Sequence, residues 1–232
     1  MSLLKTSSDL PVNSIAKYID HTLLRPDADE RMIVALCKEA DKYQFAAVCV
    51  PPCYIKQAAG LLDQEKVKVA TVIGFPLGYQ TADVKFFEAH KALSIGASEI
   101  DAVMNIAAFK SGQYKEVENE LGELATLCHF KNGILKVIIE TALLSEEEII
   151  TACQLCTEAE VDYVKTSTGF SSRGASLEDI QLMRANLPAT IRIKASGGIK
   201  DYGFAQQLIA AGADRIGTSS GIKILKHEKE LY

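Results

Sequence analysis

Short apolar runs alternate with longer amphipathic segments along most of this chain. The apolar runs are rich in β-branched side chains and have no polar face, which is typical of parallel strands buried on both sides. Eight runs predict strands at Tyr18–His21, Ala46–Val50, Val67–Ile73, Glu99–Asn105, Leu135–Glu140, Tyr163–Thr166, Ile191–Ala195 and Asp214–Gly217.

Segments with a helical period fill the gaps between these strands. Complete helices are predicted at Asp29–Tyr43, Thr81–Ile95, Gly112–Phe130 and Phe204–Ala211, with Gly212 as a C-cap. Ser145 followed by Glu148, and Ser176 followed by Asp179, have the spacing of residues that cap the first turn of a helix. A short helix over Pro11–Tyr18 is predicted ahead of the first strand.

Eight strands alternating with helices predict the α/β class and a (β/α)8 TIM barrel with a short N-terminal helical extension. No linker or change of composition interrupts the pattern, so we expect one domain over residues 1–232. The alternative is an open, doubly wound sheet. The first glycine-rich turn lacks the G-x-G-x-x-G spacing of dinucleotide-binding sheets, which favours the barrel.

Composition and charge limit the kinds of binding partner and the cellular location to be expected. The 232 residues carry a formal net charge of −5 and no long basic run, so a nucleic acid partner is not expected. No apolar stretch reaches the ~18 residues of a membrane span, and the first residues lack the pattern of a secretory signal. We therefore expect a cytoplasmic protein whose six cysteines are free thiols.

Two lysines lie near the ends of predicted strands, where a buried charge is costly. Lys165 lies near the end of the sixth strand and Lys194 near the end of the seventh. An amine held near a second cation loses affinity for its proton and becomes a nucleophile near neutral pH. Asp20 and Asp101 would place carboxylates in the same mouth, so a structural ion-pair cluster is the alternative interpretation.

Other polar residues also fall near strand ends, where barrels place their function. They are Cys49 on the second strand, Asn105 on the fourth, and Glu140 and Thr141 at the end of the fifth. Arg192 has the same parity as Lys194 along its strand, so we expect it to face inward near the bottom of the barrel and to pair with an acid there.

Turns rich in glycine and hydroxyl groups follow the last three strands. They contain Thr168, Gly169, Gly197, Gly198, Gly217, Ser219 and Ser220. Backbone N–H groups in such turns can cradle an anion, and barrels often bind phosphate after strands seven and eight. Lys200 or Arg173 would add charge. The alternative is that these glycines only shape the turns.

Other motifs carry less chemistry. The histidines at 21, 90, 129 and 227 have no metal-ligand spacing, and Cys49-x-x-x-Cys53 lacks the second pair of a zinc site. Cys153-x-x-Cys156 falls inside a predicted helix rather than at the start of one, which disfavours a redox role. These spacings therefore do not predict a metal site. Tyr232 is either a tail that reaches the site or a frayed end.

Eight short sequence segments, taken in their order along the chain, resemble those of one known family. The segments are Ile19–Leu24, Ala47–Val50, Val72–Pro76, Glu99–Asn105, Lys136–Thr141, Val164–Phe170, Lys194–Ile199 and Arg215–Ser219. Through them the chain resembles the deoxyribose-phosphate aldolases, a family of class I aldolases. The resemblance implies a cofactor-free barrel that cleaves 2-deoxyribose 5-phosphate to glyceraldehyde 3-phosphate and acetaldehyde. Members of this family are commonly homo-oligomers.

The resemblance also assigns roles that the residues alone leave open. It implies that Lys165 forms the Schiff base, that Lys194 is the second catalytic lysine and that Asp101 is the proton relay, with Asp20 in the same site. Cys49, Thr168 and the glycine-rich turns would bind the phosphorylated substrate. Two other hypotheses remain: another phosphosugar lyase or isomerase, and a barrel that binds phosphosugars without catalysis.

Overall fold

The computed structural model describes residues 14–231, with side chains up to residue 228. Eight parallel strands close into a barrel in chain order, β1 to β8. A 3₁₀ helix at Ile15–Tyr18 leads into β1 and forms part of the predicted N-terminal helix. The remainder of that prediction, at Pro11 to Asn13, and Tyr232 lie outside the described residues.

The eight predicted strands are all present, with ends displaced by at most two residues. They are β1 Ile19–Thr22, β2 Ala47–Val50, β3 Lys68–Ile73, β4 Glu99–Val103, β5 Ile134–Ile138, β6 Tyr163–Lys165, β7 Arg192–Ser196 and β8 Arg215–Thr218. The closed barrel therefore confirms the predicted fold and excludes the open sheet.

Helices surround the barrel. They are α1 Glu30–Tyr43, α2 Ile55–Leu61, α3 Ala82–Ser94, α4 Ile106–Lys110, α5 Tyr114–Phe130, α6 Glu146–Glu158, α7 Leu177–Asn186, α8 Tyr202–Ala210 and α9 Gly221–Leu231. The sequence did not predict α2 and α4, because seven and five residues are too few to establish a helical period. Helix α9 begins at Gly221, directly after Ser219 and Ser220 of the last glycine-rich turn.

Side-chain caps fix the helix starts that lead away from the mouth of the barrel. Ser145 and Glu148 form the predicted capping box at the start of α6. Ser176 accepts a hydrogen bond from the N–H of Asp179, and Asp201 caps α8 in the same way. These caps set where each strand–helix loop ends, and therefore the length of the loops around the mouth.

The apolar core has two separate parts. The larger part lies between the strands and the surrounding helices, and includes Val48, Ile100, Val137 and Ile193. The smaller part consists of Ala47, Cys49, Ala70 and Val72, with Leu24 and Phe75 packed against it. The alternation of side chains along β2 and β3 puts this second set on the opposite face from the first, inside the barrel.

Among the residues that the structure describes, no acidic side chain pairs with Arg192 as predicted. Arg192 lies opposite Tyr163 at the start of β7, is exposed, and places its guanidinium 4.2 Å from the centre of the Tyr163 ring. A cation over an aromatic ring is stabilised without a carboxylate. Two residues further along, Lys165 pairs directly with Lys194, so the register of β6 and β7 sets the two lysines side by side.

Candidate active site

A cleft of about 280 Å³ opens at the carboxyl ends of the strands. Lys165 lies at its base, and the loops after β1, β6, β7 and β8 form its walls. The residues that line it are Thr22, Leu23, Leu24, Arg25, Lys165, Thr168, Gly169, Phe170, Ser196, Gly197, Gly198, Ile199, Lys200, Gly217, Thr218 and Ser219. This is the end of the barrel where α/β barrels carry out their chemistry.

One carboxylate oxygen joins the two predicted lysines. Oδ2 of Asp101 lies 2.7 Å from Nζ of Lys165 and 2.7 Å from Nζ of Lys194. Lys194 also contacts Asp20. The structure therefore brings the four predicted catalytic residues into one buried cluster, in which Lys165 is the member that reaches the cleft.

A deeper layer of charge supports this cluster. Nζ of Lys136 lies 2.9 Å from Oδ1 of Asp101 and 2.5 Å from Glu99. Arg215 contacts the same Glu99 at 2.7 Å and Asp20 at 3.1 Å. The sequence analysis did not assign Lys136, Glu99 or Arg215 to the site. Their signal was a charged side chain at an inward-facing position of a strand that is otherwise apolar.

Counting charges shows that one basic group of the cluster is favoured to be neutral. Within residues 14–231, the cluster joins four basic side chains, Lys136, Lys165, Lys194 and Arg215, to three acids, Asp20, Glu99 and Asp101. With every group ionised, it would hold one unbalanced positive charge away from water. A buried charge without a counter-ion is costly, so the cluster favours the loss of one proton.

The pKa shifts identify the group that loses it. Burial lowers the pKa of Lys165, Asp101 opposes this, and the charge of Lys194 lowers it further. The pKa of Lys194 is raised, because the attraction of Asp101 and Asp20 outweighs the effect of burial. The pKa values of Lys136 and Arg215 are also raised. Lys165 is therefore the amine most easily unprotonated, with burial as the leading cause rather than the neighbouring lysine alone.

The glycine-rich turns pack closely against one another beside this amine. Gly169, Gly197 and Gly198 all have positive φ angles, which glycine adopts without strain. A Cβ on Gly217 would come within 3.0 Å of Cε of Lys194, and one on Gly174 would overlap the carbonyl of Gly197. These turns need glycine for close approach as well as for conformation.

The two cations suggested for the phosphate turns have different positions. Lys200 lines the cleft, whereas Arg173 contacts Asp179 and donates a hydrogen bond to the carbonyl oxygen of Thr141 at 3.0 Å. Arg25, which the sequence analysis did not select, also lines the cleft and is paired with Asp27. Lys200 is thus the predicted cation that remains available to an anion in the cleft.

Two residues predicted to bind substrate lie outside the lining of the cleft. Cys49 belongs to the apolar set inside the barrel, and burial raises the pKa of its thiol to about 11. Ser220 lines a neighbouring cavity of about 770 Å³ together with His21 and Lys223. The other predicted binding residues, Thr168, Gly169, Gly197, Gly198, Gly217 and Ser219, all line the cleft.

Within residues 14–231, no three His, Cys, Asp or Glu side chains are grouped so that they could hold a metal ion. The cysteines of this part of the chain are free, including Cys153 and Cys156, which are buried in α6. Over the same residues, no helix combines the length and apolar character that crossing a membrane requires.

The fold and the buried lysine cluster define the class of protein, a (β/α)8-barrel enzyme with a lysine at its mouth. A family model described as DeoC/LacD family aldolase matches residues 14–227. The chain therefore belongs to the DeoC/LacD family of aldolases.

Individual relatives agree with this assignment. The chain is 52% identical to the deoxyribose-phosphate aldolase of Thermococcus gammatolerans, over 91% of this chain and 95% of that protein. A solved structure described as QR15, an aldolase, superposes with a TM-score of 0.89 at 44% identity, covering 93% of this chain and 96% of the other. The tetrameric deoxyribose phosphate aldolase of Aeropyrum pernix superposes with a TM-score of 0.87 at 35% identity, covering 94% of this chain and 92% of the other.

Proposed function

We propose that this chain cleaves 2-deoxy-D-ribose 5-phosphate reversibly to D-glyceraldehyde 3-phosphate and acetaldehyde, through a Schiff base on Lys165. The names of its relatives support the substrate. The observation that carries the choice of nucleophile is that Lys165, alone among the four basic side chains of the cluster, both lines the cleft and has a lowered pKa.

The reaction begins at the aldehyde of the open-chain sugar. The unprotonated amine of Lys165 adds to C1, and loss of water gives an iminium ion. The C2–C3 bond then breaks, and its electron pair moves into the iminium. The C3 hydroxyl loses its proton and becomes the aldehyde of glyceraldehyde 3-phosphate. The two carbons left on Lys165 form an enamine, which is protonated at C2 and hydrolysed to acetaldehyde.

Each charged neighbour of Lys165 would assist one step of this reaction. Lys194 would stay protonated and help keep Lys165 neutral, while Asp20 would orient Lys194. Asp101, which contacts both lysines, would transfer protons through water to and from the C3 hydroxyl and the enamine. Because Asp101 already lies against the amine, little reorganisation is needed when the iminium charge appears.

The turns after β6, β7 and β8 would hold the phosphate. Gly197, Gly198 and Ser219 line the cleft, as does Lys200. Backbone N–H groups and an ammonium group together suit a dianion, and anchoring it would set C1 of the sugar against Lys165. The proposal needs no metal or organic cofactor, so activity should survive dialysis against a chelator.

The test of this function is a trapping experiment. The protein is incubated with acetaldehyde and borohydride, and its peptides are mapped by mass spectrometry. We expect an N-ethyl group on Lys165 and none in a Lys165→Met variant. An adduct on Lys194 instead would exchange the two lysine roles. A folded protein that binds deoxyribose 5-phosphate without forming an adduct would favour the non-catalytic binding barrel.

We also propose that the chain acts as a homo-oligomer, as a single domain over residues 1–232, in the cytoplasm. The tetrameric relative supports the assembly, and the family match over residues 14–227 supports one domain. Light scattering during gel filtration tests the assembly, and one cooperative unfolding transition at fixed protein concentration tests the single domain.

A further inference from the structure

The backbone of Glu140 adopts a conformation that is rare for its residue type. It follows β5 and has φ 54° and ψ 67°, in the left-handed region that favours glycine. Residues held in this region without being glycine often lie at functional sites, where the surrounding contacts maintain them. The contacts of Glu140 are therefore the place to look for a function.

The side chain of Glu140 is buried and, among the described residues, forms hydrogen bonds with one residue. It is 3% exposed, and none of the ion pairs among residues 14–231 includes it. Its Oε2 accepts hydrogen bonds from the backbone N–H of Thr168, at 3.2 Å, and from the Thr168 hydroxyl. A buried carboxylate is thus committed to the turn that follows Lys165.

These bonds fix what the Thr168 hydroxyl can do. A hydroxyl has one proton to donate and two lone pairs that accept. The hydroxyl donates its hydrogen bond to Glu140, and one of its lone pairs accepts a hydrogen bond from the N–H of Phe170 at 3.0 Å. One lone pair remains, and Thr168 lines the cleft. Thr168 therefore offers the cleft an acceptor whose orientation is set from β5.

We propose that Glu140 is a positioning residue, which holds Thr168 as an acceptor for a hydroxyl group of the phosphosugar. This inference rests on the proposed function and adds a determinant of substrate binding to it. Glu140 would act through Thr168 and contact neither the reacting carbons nor Lys165. The expected consequence is an effect on KM, with the chemistry at Lys165 preserved.

The chain offers a matched control for this position. Glu160 has the same φ of 54° but is exposed in the loop between α6 and β6. Glu140→Gln keeps the shape and removes the charge, and Glu140→Gly removes the side chain while suiting the backbone angle. Glu160→Gln makes the same chemical change without the contact to Thr168. Thermal unfolding confirms that each variant is folded.

We expect Glu140→Gln to raise KM for deoxyribose 5-phosphate about tenfold, the size of a lost hydrogen bond to a charged group. Glu140→Gly should raise it further, and Glu160→Gln should leave it unchanged. Trapping of Lys165 by acetaldehyde should proceed as in the parent protein, because acetaldehyde has no hydroxyl group for Thr168 to bind. An unchanged KM in both Glu140 variants would overturn the inference. A loss of acetaldehyde trapping that parallels the rise in KM would also overturn it.

A double-mutant cycle with Thr168→Val isolates the pair. If Glu140 acts through Thr168, the double variant should have a KM no higher than the worse single variant. Additive effects would overturn the inference. If the parent protein forms no adduct, the proposed function fails instead, and the same cycle is then measured on the dissociation constant of deoxyribose 5-phosphate.

Discussion

The interior of the barrel has two chemically different sides. Strands β4 to β8 and β1 contribute the acids and bases of the buried cluster, whereas β2 and β3 contribute the apolar set Ala47, Cys49, Ala70 and Val72. The charged side supplies the amine and its partners. The apolar side excludes water from the same space, which supports the burial that lowers the pKa of Lys165.

This difference explains why so many charges can be buried in a small barrel. The charges lie together, and each positive charge has a negative counterpart once Lys165 has lost its proton. The apolar side keeps their mutual interactions strong by keeping the local dielectric low. Each side can be altered separately, and the expected effects differ greatly in size.

The largest effect should come from Lys165→Met. We expect the reaction rate to fall about 10⁴-fold or more, because the nucleophile is lost. The free energy of unfolding at neutral pH should stay the same or rise, since the variant no longer buries an amine whose pKa is lowered. Steady-state kinetics and urea unfolding measure the two quantities. A strongly destabilised variant would contradict the charge count of the cluster.

Lys194→Met should show the opposite balance. Asp20 and Asp101 would lose a buried partner, so the free energy of unfolding should fall by about 3 kcal/mol or more. Removing this cation also raises the pKa of Lys165. The amine is active when unprotonated, so the acidic limb of the kcat/KM profile should move to higher pH. A limb that stays in place would show that Lys194 does not influence the nucleophile.

Lys200→Met tests the mouth of the charged side. We expect KM for deoxyribose 5-phosphate to rise roughly tenfold with kcat nearly unchanged, because one charged contact to the phosphate is lost. The KM for unphosphorylated deoxyribose should not change. Lys131→Met, at the C-terminal end of α5 and away from the cleft, is the control. Equal effects on both substrates would argue against a phosphate contact.

Cys49→Val should have the smallest effect. The apolar side needs volume rather than a thiol, and a change of similar volume in a core usually destabilises by less than about 1.5 kcal/mol. Burial raises the thiol pKa to about 11, so the thiol is neutral near pH 7. Activity should therefore remain close to that of the parent protein. A large loss of kcat would assign Cys49 a chemical role.

The predictions from sequence were strongest where one local signal decided the outcome. Strand number, barrel closure and the capping residues Ser145 and Ser176 followed from short-range patterns. The position of Arg192 was only partly correct, because side-chain parity does not say where a strand leaves the interior. Lys136 and Arg215 were missed, because a charge on a strand does not show whether acids from other strands will meet it.

The amino-acid sequence was sufficient to predict the fold, the family and the four catalytic candidates Asp20, Asp101, Lys165 and Lys194. Those depend on periodicity, caps and residue types, which act over a few positions. The tertiary structure decided which lysine is poised to lose its proton. That choice depends on how deeply each amine is buried and how many carboxylates reach it, and Asp20, Glu99 and Asp101 meet the bases only when the barrel closes.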